Sequence, residues 1–337
     1  MLFVASYKFA LLLSLADLSI EEGNDSGSSL TLTTDAIAEK FIQYYWRQVV
    51  PYPSSGKIGV LKQNTGRQAA VVTLLGAARG THGDSLASVM KQTTLWKKLR
   101  QEISGVVRTM PLWKLQTVGR ESLDFLYEKA GTGRTIELRP GVAYCFRKFH
   151  PLISDLVRGA WLRYVRQQNL DVLGEAADLN QFLFGGERAN LAVVRPVLID
   201  IQRGRCFYCN KPLLPPSTHV DHFIAWARYP IDLGHNFVLA DTRCNSQKGD
   251  RLPAYVHLAG WAERNTQFGD QIGNAMKERG IIAELTLSNR VAQWAYELTA
   301  HANGLTWLRA DELVPLAAAW RTLFDPGLRP AGETLGA

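Results

Sequence analysis

The chain has only four cysteines in 337 residues, which excludes the disulfide framework of a small secreted domain and sets the expectation of a reducing, cytoplasmic location. It has no internal repeat, so repeat architectures are excluded. It has no Gly-x-x-x-x-Gly-Lys loop and no Ser-centred hydrolase elbow, so nucleotide-driven motor activity would have to come from a partner. It also lacks a long uninterrupted apolar run. The first twenty residues are apolar, but no positive charge precedes Phe3-Val4 and Lys8 and Asp17 interrupt the run. The stretch is too short to span a bilayer, and a buried helix is expected there over a signal peptide. Phe9, Leu12, Leu13 and Ala16 recur at helical spacing, which predicts a buried amphipathic helix. An excess of acid is lacking too: the formal charge is +7, which favours a polyanionic partner.

That excess is local. Between Lys91 and Arg166 fifteen Lys or Arg face six Asp or Glu, giving +9 and leaving −2 for the rest of the chain. The surrounding pattern is mainly helical. Residues 21–30 read as an exposed loop. A helix follows, capped by Thr34 or Asp35, with Ile37, Phe41, Tyr44, Tyr45 and Val49 as its core stripe until Pro51. Residues 68–78 and 86–107 are also predicted helical. Ser122 to Tyr127 and Thr135 to Leu138 are predicted to pair across a Gly-containing turn at 129–133. Helices followed by such a hairpin fit a winged-helix-like DNA reader with Arg134 and Arg139 at phosphates; a solvated basic face fits equally. Residues 151–168 predict an amphipathic helix with Ile153, Leu156, Val157, Ala160, Trp161 and Tyr164 on one face. Cys145, just before it, reads as a packed thiol. Residues 174–186 form a linker with a short helix, 189–202 a helix, and 254–264, 274–277, 284–302 and 311–324 the pieces of a helical tail. His257 is assigned to packing.

The most informative stretch runs from Cys206 to Pro253. Cys206 and Cys209 have the two-residue separation with which one tight turn presents two thiolates to a tetrahedral Zn²⁺. Cys244 supplies a third thiol. A second Cys-x-x-Cys would place the fourth ligand at 241, which is Asp241; a carboxylate can serve, and His219 is the other nearby donor. Reduced core thiols are the alternative. Between the two halves lie Asp221-His222 on a predicted strand and Asn236 in a turn, and Cys244 opens Cys-Asn245-x-x-Lys248.

This order resembles the HNH nuclease family, over about 50 residues. The resemblance implies a ββα-metal core: an Asp-His pair on the first strand, a middle Asn in the loop, and an Asn on the helix. The expected fold is therefore mainly α with a small ββα-metal core, α+β overall. Its expected segments are a helical region 1–110, a basic α+β region and linker 111–186, a nuclease domain with zinc knuckle 187–260, and a helical tail 261–337. The expected activity is Mg²⁺- or Mn²⁺-dependent hydrolysis of DNA, one nick per active site. Phosphodiester hydrolysis needs a base near neutral pH, for which His222 is the candidate. It also needs a cation beside the leaving oxygen, for which Asp221 and Asn245 offer hard oxygen ligands. By carry-over, Asn236 holds the loop that orients His222, and Lys248 and Arg251 meet phosphates.

Large flanks around such a core are similar to nucleases of restriction and anti-phage defence, with other proteins of a defence system as partners. Homing or recombination nucleases stand in the same class, and an RNase or a toxin aimed at the host is a third possibility. A non-catalytic zinc module that binds nucleic acid or a protein is the competing class.

Overall fold

The structure, a computed structural model, describes residues 5–53, 59–130, 133–173, 178–185, 191–214 and 217–324. The chain is mainly helical with small sheets and divides into two compact units, Met1–Gly186 and Glu187–Ala337.

The first unit is built round α1 (Tyr7–Glu22). This helix is apolar on nearly every side, and Phe9, Leu11, Leu13, Leu15, Leu18 and Ile20 are all buried. It is thus a fully enclosed helix rather than the amphipathic one predicted. Its polar groups are satisfied internally: Ser14 and Ser19 donate to the carbonyls of Ala10 and Leu15, each at 2.7 Å. Asp17 pairs with His150 Nε2 at 2.7 Å and accepts from the Tyr44 hydroxyl at 2.7 Å.

After β1 (Leu30–Thr33), α2 (Thr34–Tyr45) begins one residue earlier than its predicted caps require. The cap is Thr33, whose hydroxyl accepts from Ala36 N at 3.0 Å. Thr34 is engaged by Ser104 Oγ at 3.0 Å, and Asp35 faces Arg100 at 3.7 Å. Ile37, Phe41 and Tyr45 enter the core as predicted.

A short ladder of β2 (Pro51–Tyr52) and β3 (Gly59–Val60) precedes α3 (Ala70–His82). The helix predicted over 86–107 is split into α4 (Leu86–Lys91) and α5 (Thr93–Thr109) at Gln92, whose ψ of 83° leaves the helical region. The single-turn helix α6 (Pro111–Lys114) and a ladder of β4 (Thr117–Val118) with β5 (Glu121–Ser122) follow.

The predicted hairpin exists, but its first strand, β6 (Tyr127–Ala130), starts later than Ser122 and pairs with β7 (Thr135–Leu138). The cause is Gln116. Its buried amide accepts from the N–H groups of Leu126 and Tyr127 at 2.7 and 3.0 Å and donates to Tyr127 O at 3.0 Å, so the preceding backbone is bonded elsewhere. β7 is central, with β1 on its other edge. Residues 131–132 of the predicted turn lie outside the described residues.

α7 (Val142–Lys148) buries Phe146 and Arg147 and leaves Cys145 exposed, so Cys145 is not the packed thiol expected. The Arg147 guanidinium binds the carbonyls of Ser19, Ile20 and Gly23 at the end of α1, each at 3.2 Å. α8 (His150–Gln168) buries Val157, Trp161 and Tyr164, but Leu156 is 64% exposed and leaves the predicted stripe. Trp161 sits among the rings of Phe9, Tyr44, Tyr45 and Phe184. The last helix of this unit is α9 (Leu179–Phe184).

In the second unit, a 3₁₀ turn at Leu191–Val193 leads to α10 (Arg195–Ile201); residues 189–190 of the helix predicted there lie outside the described residues. β8 (Thr218–His222), β9 (Phe237–Asp241) and α11 (Thr242–Lys248) follow. α12 (Tyr255–Glu278) is one helix where two pieces were predicted. Gly269 and Gly273 do not break it, because both faces are needed for close approach: a Cβ on Gly269 would meet Leu285 at 3.3 Å, and Gly273 lies against the His235 ring. After α13 (Leu285–His301), the helix predicted at 311–324 is instead a hairpin of β10 (Leu305–Arg309) and β11 (Glu312–Pro315), then a 3₁₀ segment. Buried Trp307 and Thr306 anchor that hairpin, and β-branched and aromatic residues favour strands. Val194, Leu198, Phe237, Leu239, Ile272 and Met276 form a core of this unit. Among the described residues no helix is long and apolar enough to cross a membrane.

The Asp17 network gives a pH-dependent prediction. Burial works to raise the Asp17 carboxyl pKa, but the hydrogen bond and charge of His150, with Lys40 and Tyr44, outweigh it and hold it at about 2. A depressed carboxyl stabilises the fold above its unfolded value of about 3.9 and loses that contribution as pH falls through the folded value. Asp17→Ala should therefore cost about 3 kcal/mol at neutral pH. In urea unfolding followed by Trp fluorescence, the gap from wild type should narrow as pH falls from about 4 towards 2.

Candidate functional site

β8 and β9 pair antiparallel from Thr218 opposite Asp241 to His222 opposite Phe237, and α11 starts directly after β9. A strand can pass straight into a helix here because Asp241, extended at φ −70° and ψ 157°, caps it. Its Oδ1 accepts from Cys244 N at 2.9 Å, satisfying a donor that the first turn leaves free.

The Cys206–Cys209 turn is closed by Cys206 N to Lys211 O and Asn210 N to Cys206 O, both 2.9 Å, with Asn210 left-handed at φ 57°. Phe207 N donates to Leu239 O at 2.8 Å and fixes the turn to β9. Cys206, Cys209, Asp241 and Cys244 consequently converge, their ligand atoms all within 4.8 Å of one another, and the group could hold a metal ion. A tetrahedron with bonds of about 2.3 Å has edges of roughly 3.8 Å, so the widest donor pairs would draw together and the closest would move apart by under about 1 Å. Cys209 Sγ lies 3.1 Å from Asp241 Oδ2, and Asp241 N lies 3.4 Å from Cys206 Sγ. His219, the other proposed fourth donor, is instead exposed and bonded to Thr242 Oγ1 at 3.0 Å.

The electrostatics express the same crowding of acceptors. Burial pushes the Cys206 thiol up to about 11. Burial and the Asp241 carboxylate raise Cys244 further. Burial opposes the charge on Asp241, yet the Cys244 N–H and the thiols hold it well below the usual carboxylate range. A divalent cation among these donors would reverse the thiol shifts, because a coordinating thiol is deprotonated.

The remaining predicted residues lie along β8, the loop 223–236 and α11. Asn236 closes the loop: its Oδ1 accepts from Ile224 N at 2.7 Å and its Nδ2 donates to Ile224 O at 2.9 Å. Phe223 N also bonds Asn236 O at 2.8 Å. Arg264, held at about 9 by burial, donates to the carbonyls of His235 and Phe237 on either side of Asn236. His222 Nε2 lies 2.7 Å from Asp232 Oδ1. Its ring is edged by Trp226 and Phe237 at centroid distances of 5.4 and 5.0 Å.

Asp221 has different partners. Its Oδ2 accepts from the Tyr208 hydroxyl at 2.6 Å and lies 3.1 Å from Lys248 Nζ. The strand pleat sends neighbouring side chains to opposite sides, and among the described residues the Asp221 and His222 side chains share no hydrogen-bond partner. Lys248, expected to meet phosphate, is instead fully buried, and its ammonium also donates to His222 O at 2.9 Å and Gly249 O at 3.3 Å. Burial lowers its pKa, opposed by the Asp221 charge. Arg251 is exposed and donates to Gln247 O at 2.9 Å.

Asn245 is half-buried, one turn before Lys248 on the same helix, and residues three apart share a helix face. Asp221 and Asn245 are ligand types suited to Mg²⁺, which commonly takes one or two carboxylates and keeps several waters. The donor chemistry fits; the Lys248 ammonium is the constraint, since a cation must share the Asp221 carboxylate with it or displace it.

Two residues went unnoticed in the sequence. Asp232 lies in the loop with no fixed spacing to His222, so no motif marks it. Tyr208 lies inside the Cys-x-x-Cys turn, where its hydroxyl is recognisable only once β8 is seen beside it. No family model matches the chain, and no curated protein matches it.

Asn236→Ala should cost about 1–3 kcal/mol by leaving the Ile224 backbone groups unpaired in the interior. Hydrogen exchange should show faster exchange at Ile224 and across 223–236, with α13 unchanged.

Proposed function

We propose that the Glu187–Ala337 unit is a metal-dependent endonuclease of HNH type that hydrolyses DNA phosphodiester bonds, with His222 as general base. The observation that carries this is the His222–Asp232 pair at the end of β8. A carboxylate can only accept, so neutral His222 carries its proton on Nε2 and presents a lone pair on Nδ1. That nitrogen has no protein partner among the described residues. It is free to take a proton from an attacking water, and the Asp232 charge balances the imidazolium that results. The water oxygen then bonds to phosphorus as the P–O3′ bond breaks, and the departing 3′ oxygen takes a proton from solvent water, leaving a 5′ phosphate and a 3′ hydroxyl.

Asn236 keeps the start of the 223–236 loop closed against the end of β8 and so preserves the direction of the His222 ring. Asp221 and Asn245 would hold the divalent ion, Mg²⁺ or Mn²⁺, whose chemistry when bound is to offset charge at the leaving oxygen. Tyr208 and Lys248 fix the Asp221 carboxylate in place. Arg251, exposed beyond α11, is available to a neighbouring phosphate. The Cys206, Cys209, Cys244 and Asp241 group is assigned to structural zinc, on its three soft donors, four-ligand closure and distance from open solvent at Cys206.

A second reading is a non-catalytic zinc module that binds nucleic acid or a protein. It is favoured by the Lys248–Asp221 ion pair and by the separate partners of Asp221 and His222.

With Mg²⁺, His222→Ala should lower plasmid nicking by about 10²–10⁴-fold, with DNA binding retained. Absence of cleavage by the wild type with every divalent ion tested would make the binding module the better description. In native mass spectrometry the chain should carry one zinc, and Cys209→Ser should lose it, with a lowered Tm because metal binding is coupled to folding.

A further inference from the structure

The Met1–Gly186 unit contains a cavity of about 390 Å³ where the start of α2, the second half of α5 and the start of β7 meet. Its charged lining is two arginines and one carboxylate. Arg108 and Arg134 both line it. The Arg108 guanidinium makes one long hydrogen bond, Nε to Ser104 O at 3.4 Å, and among the described residues neither guanidinium is paired with a carboxylate. Asp35, the acid on the wall, faces Arg100 at 3.7 Å. Thr135 and Gln101 add neutral donors to the lining.

Arg108 is half-buried and Arg134 exposed, so both guanidinium groups can turn to an anion in the cavity, and the planar fork of each matches the oxygens of a phosphate. The twelve-residue α2 adds the positive end of its dipole to the same side. Both arginines belong to the stretch that carries the charge excess of the chain.

We propose that this cavity is a phosphate-binding site, in which Arg108 and Arg134 grip a phosphate group and Thr135 and Gln101 complete its hydrogen bonds. Two sources offer that chemistry: the backbone of a polynucleotide and a free nucleotide. The site stands apart from the nuclease assignment, since none of its residues belongs to the second unit and binding needs no cleavage.

The test uses the full chain in EDTA. Calorimetry measures binding of inorganic pyrophosphate and of a nucleoside monophosphate, and fluorescence anisotropy measures binding of a short labelled duplex. Arg108→Ala/Arg134→Ala should weaken at least one probe by about tenfold or more, with circular dichroism and Tm unchanged. A loss confined to the mononucleotide assigns the site to free nucleotide; a loss with the duplex assigns it to the backbone. The comparison is Arg163→Ala/Arg166→Ala, which removes the same charge from the exposed side of α8. Equal weakening by both pairs would mean non-specific attraction and overturn the proposal, as would failure of the wild type to bind any of the probes. If the alanine pair does not fold, Arg108→Lys/Arg134→Lys replaces it. That pair keeps the charge and removes the fork, so it should still weaken the affected probe, and wild-type affinity in it would overturn the proposal.

Discussion

The second unit depends on the two oxygens of one carboxylate. Asp241 is at once the last residue of β9, the cap of α11 and a neighbour of the thiol turn. One oxygen starts the helix; the other closes the gap to Cys209. No other protein side chain could make both contacts without changing their chemistry. A cysteine there would complete a four-thiolate set but would cap the helix poorly, because a thiolate is a weak acceptor for a backbone N–H. The departure from four cysteines is thus a consequence of turning a strand into a helix with no intervening loop.

From that junction order passes to the rest of the site through short polar contacts. The thiol turn places Tyr208, Tyr208 holds Asp221, and Lys248 at the far end of α11 holds Asp221 from another direction. The Lys248 ammonium also grips the carbonyl of His222, so the strand end is fixed by its backbone as well as by its side chains. His222 owes its own direction to the loop it precedes, through Asp232 and the Asn236 closure. A buried lysine with one carboxylate and two carbonyls is costly to desolvate, and its presence marks how tightly this corner is specified.

Much of the local structure could be read from the sequence, because it rests on periodicity and short-range spacing. The core face of α2, the Cys-x-x-Cys turn, the Gly-containing hairpin at β6 and β7 and the packing role of His257, which stacks on Trp307, all follow from residues close in the chain. What could not be read depends on distant partners. Leu156 lies on the wrong side of α8 because Trp161 and Tyr164 select which face meets the core. The end of the chain reads as helix until Trp307 is seen docked beside Leu252 and Ala254. Lys248 reads as a surface cation, and only the proximity of Asp221 turns it inward. In the candidate site the residue types Asp221, His222, Asn236 and Asn245 could be read and their pairing could not, while the contacts of Tyr208 and Asp232 exist only through tertiary structure.

The enclosure of α1 has a consequence for how the first unit comes into being. Its apolar sides are covered by α2, α7 and α8, and the last of these ends near residue 168. A ribosome delivers residues in order, so the greasy cylinder made first must wait through more than a hundred further additions before its final neighbours exist. Contacts of such long sequence separation slow folding and leave sticky surface uncovered meanwhile. The burial that makes the finished unit secure is thus the same property that makes its synthesis hazardous.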